Sequence, residues 1–201
     1  MSNIKIVEKP DWVSWETIHE VLVAAHAENR SKGVIMAYSV QPADQIAKIC
    51  SKGVMFVALD GDKVVGTAAI ILQKENRWYY KGVVAYMTFA GVLPEYAGKG
   101  IYKQLSVTRE QRAMDMDISV VMGATHEKNY RRLEIEKQLG AKFVQLRAGQ
   151  DHYNVIFIRY LKGSCPFPDW YISIMFNASK ILYKLRYRID KDKGRVKRFG
   201  I

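Results

Sequence analysis

At 201 residues, with 49% apolar and 25% charged positions, the chain has the length and composition of one compact domain with a real core, which excludes the disordered and fibrous classes. Its net charge of +11 is concentrated near the carboxyl terminus, where nine basic residues from Lys180 to Arg198 stand against Asp190 and Asp192; the body is only mildly basic and no nucleic-acid partner is expected. Cys50 and Cys165 are isolated, so neither a disulfide framework nor a metal site is indicated, and the chain from Met1 to Pro10 lacks the basic head and apolar stretch of a secretory signal.

In chain order, Ile4 to Val7 predicts a short strand closed by Pro10. Asp11 is placed to cap a helix reaching about Asn29, with Trp12, Trp15, Ile18, Leu22 and Ala25 at helical spacing. A second helix is expected after Pro42, through Ile46 and Ile49, ending at Gly53. The period then changes to two: strands at 54–59 and 63–73 flank Asp60-Gly61-Asp62, a hairpin signal, and a third strand covers about 82–93. A helix from about Gly100 to Met116, a strand at 118–124, a helix from Asn129 to Leu139 and strands at 142–147 and 154–161 complete the body. The order β-α-α-β-β-β-α-β-α-β-β implies a mixed α/β (α+β) fold. No apolar run approaches the roughly 20 residues that would cross a bilayer. The expected location is cytoplasmic, or peripheral to the inner membrane face if the basic tail binds there.

The most informative junction is the strand ending Thr88-Phe89-Ala90-Gly91-Val92-Leu93, followed by Pro94-Glu95-Tyr96-Ala97-Gly98-Lys99-Gly100-Ile101-Tyr102 at the start of a helix. Glycines permit a tight turn and close approach of a bulky anion, and the unpaired N–H groups of a first helical turn favour phosphate. Lys99 adds positive charge. The same glycines also suit a plain strand-to-helix turn. Two other phosphate loops fail: a dinucleotide fingerprint needs glycine where Lys103 stands, and a P-loop needs Ser or Thr after Gly-Lys, where Gly100 stands.

Val92, Pro94, Glu95, Tyr96, Gly98, Lys99, Gly100 and Ile101, with Asn129 and Lys137-Gln138-Leu139-Gly140-Ala141 downstream, resemble the phosphate loop and following helix of the GCN5-related N-acetyltransferase (GNAT) superfamily. The resemblance covers roughly residues 4–161. It implies the acyl-CoA N-acyltransferase fold, a mostly antiparallel twisted sheet of about seven strands flanked by helices, with acetyl-CoA as cofactor. It also implies cofactor binding by Ala90, Gly91, Val92, Ala97, Gly98, Lys99, Gly100, Ile101, Tyr102 and Asn129. Three positions depart from the pattern: Ala97 replaces Arg or Gln, Tyr102 replaces a small residue, and Glu136 stands four before Gly140, where the family often has the Tyr that protonates the departing thiolate.

The implied reaction is direct attack of a primary amine on the thioester, with a backbone donor such as the Val92 N–H stabilising the oxyanion. With Glu136 at the Tyr position, the candidates for proton transfer are Tyr130 and His126, followed by Thr88 and Tyr86. By the same resemblance, Glu28, Asn29 and Arg30 lie near the acceptor, and the hairpin from Lys74 to Tyr80 is a further lining candidate. The acceptor is expected to be a small-molecule amine, such as an amino sugar; a peptide acceptor and a non-catalytic acyl-CoA-binding module are the alternatives.

The chain divides into a catalytic body, 1–163, and a tail, 164–201. After Cys165-Pro166-Phe167-Pro168, Asp169 is placed to cap an amphipathic helix bearing Trp170, Ile174, Ile181, Leu182, Leu185 and Ile189, with Lys180, Lys184, Arg186 and Arg188 around it. Such a helix suits an anionic membrane surface, packing on the body, or self-association through 165–189, with the chain a monomer or homodimer. Lys191 to Arg198 is expected to be frayed.

Overall fold

A computed structural model describes residues 4–148 and 153–192. Seven strands form one sheet: β1 (Ile4–Glu8), β2 (Gly53–Asp60), β3 (Lys63–Arg77), β4 (Tyr80–Val92), β5 (Val120–His126), β6 (Lys142–Ala148) and β7 (Tyr153–Tyr160). Their order is β1-β2-β3-β4-β5-β7-β6, and every pairing is antiparallel except β4 with β5. The helices are α1 (Trp15–Ala25), α2 (Ala27–Ser31), α3 (Ala43–Cys50), α4 (Ile101–Asp115), α5 (Tyr130–Gln138) and α6 (Asp169–Asp192).

Several boundaries differ from the expectations. The first helix starts at Trp15, because Ser14, and not Asp11, accepts a hydrogen bond from the Thr17 N–H at 3.1 Å; it breaks at His26 before the short α2. Trp12 is left 59% exposed. Strands β3 and β4 are longer than expected, making a hairpin whose turn holds Trp78 and Tyr79, the latter buried at 1% exposure. Ile118 belongs to the end of α4: Asp117 adopts a left-handed φ of 57° and the Ile118 N–H returns to the Ala113 carbonyl at 2.9 Å. Of the segment expected to be frayed, Lys191 to Arg198, residues 191 and 192 belong to the described helix, which runs to Asp192, and residues 193–198 lie outside the described residues.

Two close approaches identify the faces of the sheet. A Cβ on Gly91 would lie 2.8 Å from the Ala25 Cβ, so α1 presses on β4. A Cβ on Gly66, which pairs with Val92, would lie 3.4 Å from the Ile101 Cγ2, so α4 covers the opposite face. On the α1 face, Ile172 of α6 joins Val84, Val120, Met122, Ile156 and Ile158 in a second apolar cluster. Phe167 and Tyr171 pack their rings on Trp78 at centroid distances of 5.6 and 5.7 Å. The amphipathic helix is thus docked through one of its faces.

Candidate functional site

The parallel pairing of β4 and β5 is short, running from Ala85↔Val121 to Met87↔Gly123. Beyond it β4 continues beside β3, and β5 continues beside β7 to His126↔Asn154. Thr88 to Val92 and Ala124 to His126 therefore border an opening. A bulge bends β4 at this point: Thr67 pairs with Gly91 and Ala69 with Thr88, so Ala68 opposes both Phe89 and Ala90, and Phe89 takes a φ of 49°.

The carbonyls displaced by the bulge are met by side chains. The Thr67 hydroxyl donates to the Phe89 carbonyl at 2.9 Å, and the His26 Nε2 lies 2.9 Å from the Ala90 carbonyl. The Leu93 N–H bonds to the Val65 carbonyl on β3 at 2.9 Å. Because successive residues of a strand alternate, the Val92 N–H is directed the other way, toward the opening.

Strand alternation places Tyr86 and Thr88 of β4 and His126 of β5 on the α1 face, and Met87, Gly123 and Thr125 on the α4 face. His126 is 2% exposed, and its Nδ1 accepts from the Lys128 N–H at 3.0 Å. Burial raises the pKa of the Tyr86 phenol, an effect opposed by Arg147, so the group favours its protonated form. Burial lowers the pKa of His26; the hydrogen bond to Ala90 acts against this and Arg30 reinforces it.

At the start of α4, Gly98 and Gly100 have φ of 80° and 76°, left-handed values that favour glycine, with open space where each Cβ would stand. Gly100 caps the helix without a side-chain bond, and no acidic residue lies in the first turn. The Gln104 N–H is bonded to the Gly100 carbonyl, so the N–H groups of residues 101–103 precede the intrahelical ladder. The Lys99 Nζ lies 4.4 Å from the centre of the Tyr96 ring, whose hydroxyl donates to Asp60 Oδ2 at 2.9 Å. These N–H groups outside the helical ladder and the nearby ammonium group suit an anion such as phosphate.

Across from this turn, α4 and α5 are joined by side chains. The Arg132 guanidinium lies 4.6 Å from the centre of the Tyr102 ring and 5.7 Å from that of Phe157, and it forms an ion pair with Glu136, which is 1% exposed. Phe157 fills the space above Gly123, where a Cβ would come within 2.4 Å of its ring. Tyr102 Oη, Thr125 Oγ1 and Glu136 Oε2 are buried with no hydrogen-bond partner among the described residues. An unsatisfied buried polar group costs about 1–3 kcal/mol. Three such atoms on the α4 and α5 side of the opening fit a site that is completed by a polar ligand.

The other predicted residues take varied places. Ala97, Gly98, Lys99 and Gly100 are exposed on the turn, while Ile101 is buried against the sheet. Asn129 caps α5, its Oδ1 accepting from the Arg132 N–H at 3.3 Å. Tyr130 begins that helix and is 73% exposed. Asn29 Nδ2 lies 3.4 Å from His26 Nδ1, whereas Glu28 pairs with Lys32 in solvent and Arg30 donates to the Val23 carbonyl at 2.7 Å. His26, Thr125 and Arg132 went unnoticed in the sequence. The available signals were weak: an Arg and a Glu at i, i+4, and a glycine inside the apolar strand of Gly123.

A model of the acetyltransferase (GNAT) family matches residues 15–140. No curated protein matches the chain. Among solved structures, an acetyltransferase from Streptococcus agalactiae 2603 superposes with a TM-score of 0.62 at 17% identity, over 80% of this chain and 100% of that one. The ribosomal-protein-S18-alanine N-acetyltransferase from Escherichia coli gives a TM-score of 0.60 at 13% identity, over 82% and 98%. A GNAT family acetyltransferase from Elizabethkingia anophelis, solved with acetyl-CoA bound, gives 0.58 at 12% identity, over 80% and 100%.

Proposed function

The chain belongs to the GNAT acetyltransferase family, and from that membership we propose that it transfers an acetyl group from acetyl-CoA to the primary amine of a small molecule. The observation that carries this reading is the opening between β4 and β5, bordered on one face by the glycine turn and on the other by His126, Thr88 and Tyr86. Acetyl-CoA, the cofactor of this family, supplies the acetyl group as an activated thioester. In this reading the N–H groups of residues 98–102 and Lys99 hold the pyrophosphate, Ala90 to Val92 hold the pantetheine arm along β4, and Asn129 and the Tyr102 hydroxyl add polar contacts from α5 and α4. The Val92 N–H stabilises negative charge on the acyl oxygen.

The attacking amine must be neutral. His126 is the better placed of the two predicted proton carriers, because it is buried at the end of β5 on the α1 face. With Nδ1 engaged as an acceptor, the neutral ring carries its proton on Nε2, which suits donation to the departing thiolate, while the amine gives its proton to water. Tyr130 must turn inward from solvent to act. The protonated Tyr86 phenol is a reserve acid on the same face. Asn29, beside His26, is the acceptor-binding candidate nearest the opening; Glu28 and Arg30 would contact only an acceptor that reaches over α2. Residues 1–163 carry the site in this reading, and 164–201 form the appended segment.

The test is release of free thiol from acetyl-CoA across a panel of amino sugars, polyamines, amino acids and peptides. Turnover on a small amine, with kcat for His126→Gln reduced roughly a hundredfold and Tyr130→Phe unchanged, supports the assignment. Turnover confined to peptides transfers it to a peptide acetyltransferase. Binding of CoA without turnover on any acceptor favours a binding module.

A further inference from the structure

α6 carries two apolar stripes, and only one is used by the fold. Ile172, Phe176, Ser179 and Tyr183 recur at spacings of 4, 3 and 4 and meet the body: Ile172 is buried, Phe176 packs near Phe143 with ring centres 6.3 Å apart, Ser179 bonds the Leu146 amide and Tyr183 meets Tyr153 with ring centres 5.9 Å apart. On the opposite side Trp170, Ile174, Ile181 and Leu185 recur at spacings of 4, 7 and 4, with exposures of 65%, 58%, 61% and 52%; Leu182 beside them is 66% exposed. A solvated helix normally turns polar groups outward. Here the outward side carries two apolar groups, Trp170 with Ile174 and Ile181 with Leu182 and Leu185, separated by the exposed Asn177, and no helix among the described residues is long and apolar enough to cross a membrane.

The flanking charge identifies what the band fits. Lys184 borders it, Lys180 lies between the two stripes with its Nζ 4.6 Å from the centre of the Phe176 ring, and the sequence from Lys180 to Arg198 holds nine basic residues against two acidic ones. Two copies paired through this band around a two-fold axis would bring the same cationic flanks together. A bilayer rich in anionic headgroups takes both features at once, with the apolar side chains entering the acyl boundary and the lysines and arginines pairing with phosphates. We infer that the outer face of α6 is a peripheral docking surface for anionic membranes, with the helix lying in the plane of the interface and its inner face remaining packed on β6.

The experiment is flotation of the full chain with vesicles of phosphatidylcholine alone or with 30 mol% phosphatidylglycerol, alongside Ile174→Asp/Ile181→Asp. Both substituted side chains are exposed, so the fold should persist, as checked by the thermal unfolding midpoint. The expected result is binding to the mixed vesicles, weakened by salt, with a partition coefficient lowered roughly tenfold or more in the variant. Absence of binding to mixed vesicles, or equal binding by the folded variant, overturns the inference. A wild-type dimer in light scattering that the variant converts to monomer also overturns it and assigns the band to a second copy. CoA binding is measured in parallel on both proteins; because the band lies on α6, packed on β6, and shares no residue with the glycine turn that opens α4, failure of lipid binding leaves the catalytic reading untouched, and the converse also holds.

Discussion

The Nε2 of His26 lies 2.9 Å from the Ala90 carbonyl, joining the end of α1 to the bulge that turns β4 away from β5. A carbonyl can only accept, so Nε2 carries the proton; Nδ1 is then the acceptor for the Asn29 amide at 3.4 Å. The ring is neutral in this arrangement, in agreement with the lowering of its pKa by burial. Helix and bulge are thereby held together by a group whose pKa burial has lowered.

Burial of this ring predicts an acid-sensitive fold, an effect that the bond to Ala90 opposes and Arg30 reinforces. Because the folded-state pKa of His26 lies below its ordinary 6.5, the unfolded chain binds more protons as pH falls through 6.5, and stability declines down to the folded pKa. Thermal midpoints measured between pH 5 and 8 should drop on the acid side. His26→Gln, which keeps an N–H donor without a titrating ring, should flatten that slope.

Gly100 is the sharpest test of the cofactor turn. Its left-handed φ of 76° costs a non-glycine residue roughly 1–2 kcal/mol, yet nothing blocks the added Cβ. Gly100→Ala should therefore fold and bind CoA more weakly, whereas Gly100→Glu, which adds negative charge to the anion site, should show no binding by calorimetry. Retained affinity in the Glu variant would rule out this turn as the pyrophosphate site.

Saturating CoA should raise the thermal midpoint of the native chain, since a ligand at a hundred times its dissociation constant stabilises the folded state by about 2.7 kcal/mol. Differential scanning fluorimetry reads this directly. No shift would count against the cofactor site as drawn.

The buried pair of Arg132 and Glu136 should behave as a unit. Arg132→Leu strands a carboxylate that is 1% exposed and should cost about 3–5 kcal/mol in urea unfolding. The double change Arg132→Leu/Glu136→Leu should recover most of that loss. Equal destabilisation of single and double variants would show that the guanidinium acts mainly through its stacking on Tyr102.

The order of elements and the seven-stranded sheet were legible in the sequence, because period-two runs and the Asp60-Gly61 turn are local signals. The glycine turn was legible for the same reason: positive φ leaves a mark in residue type. Helix ends were less so; Ser14 and Asp11 are both good caps, and burial of Val13 accompanies the choice of Ser14. The link from His26 to Ala90 spans 64 residues and leaves no periodic trace. The stacking of Arg132 on Tyr102 joins two helices whose relative placement only the assembled sheet determines. The tail read as amphipathic, but which apolar stripe would be docked depended on the aromatic hairpin tip at Trp78, a tertiary feature.

At the far end of the sheet, the Ser179 hydroxyl accepts from the Leu146 N–H at 3.1 Å, so the outermost strand, β6, has α6 bonded to its free side. A chain emerging from the ribosome completes β6 and β7 before α6 has been made. During that interval β6 offers open amides to any passing strand, a route to misassembly. α6 therefore closes this edge only once it has itself been made, and a chain cut short before Ser179, left with the edge open, should show itself first as inclusion bodies.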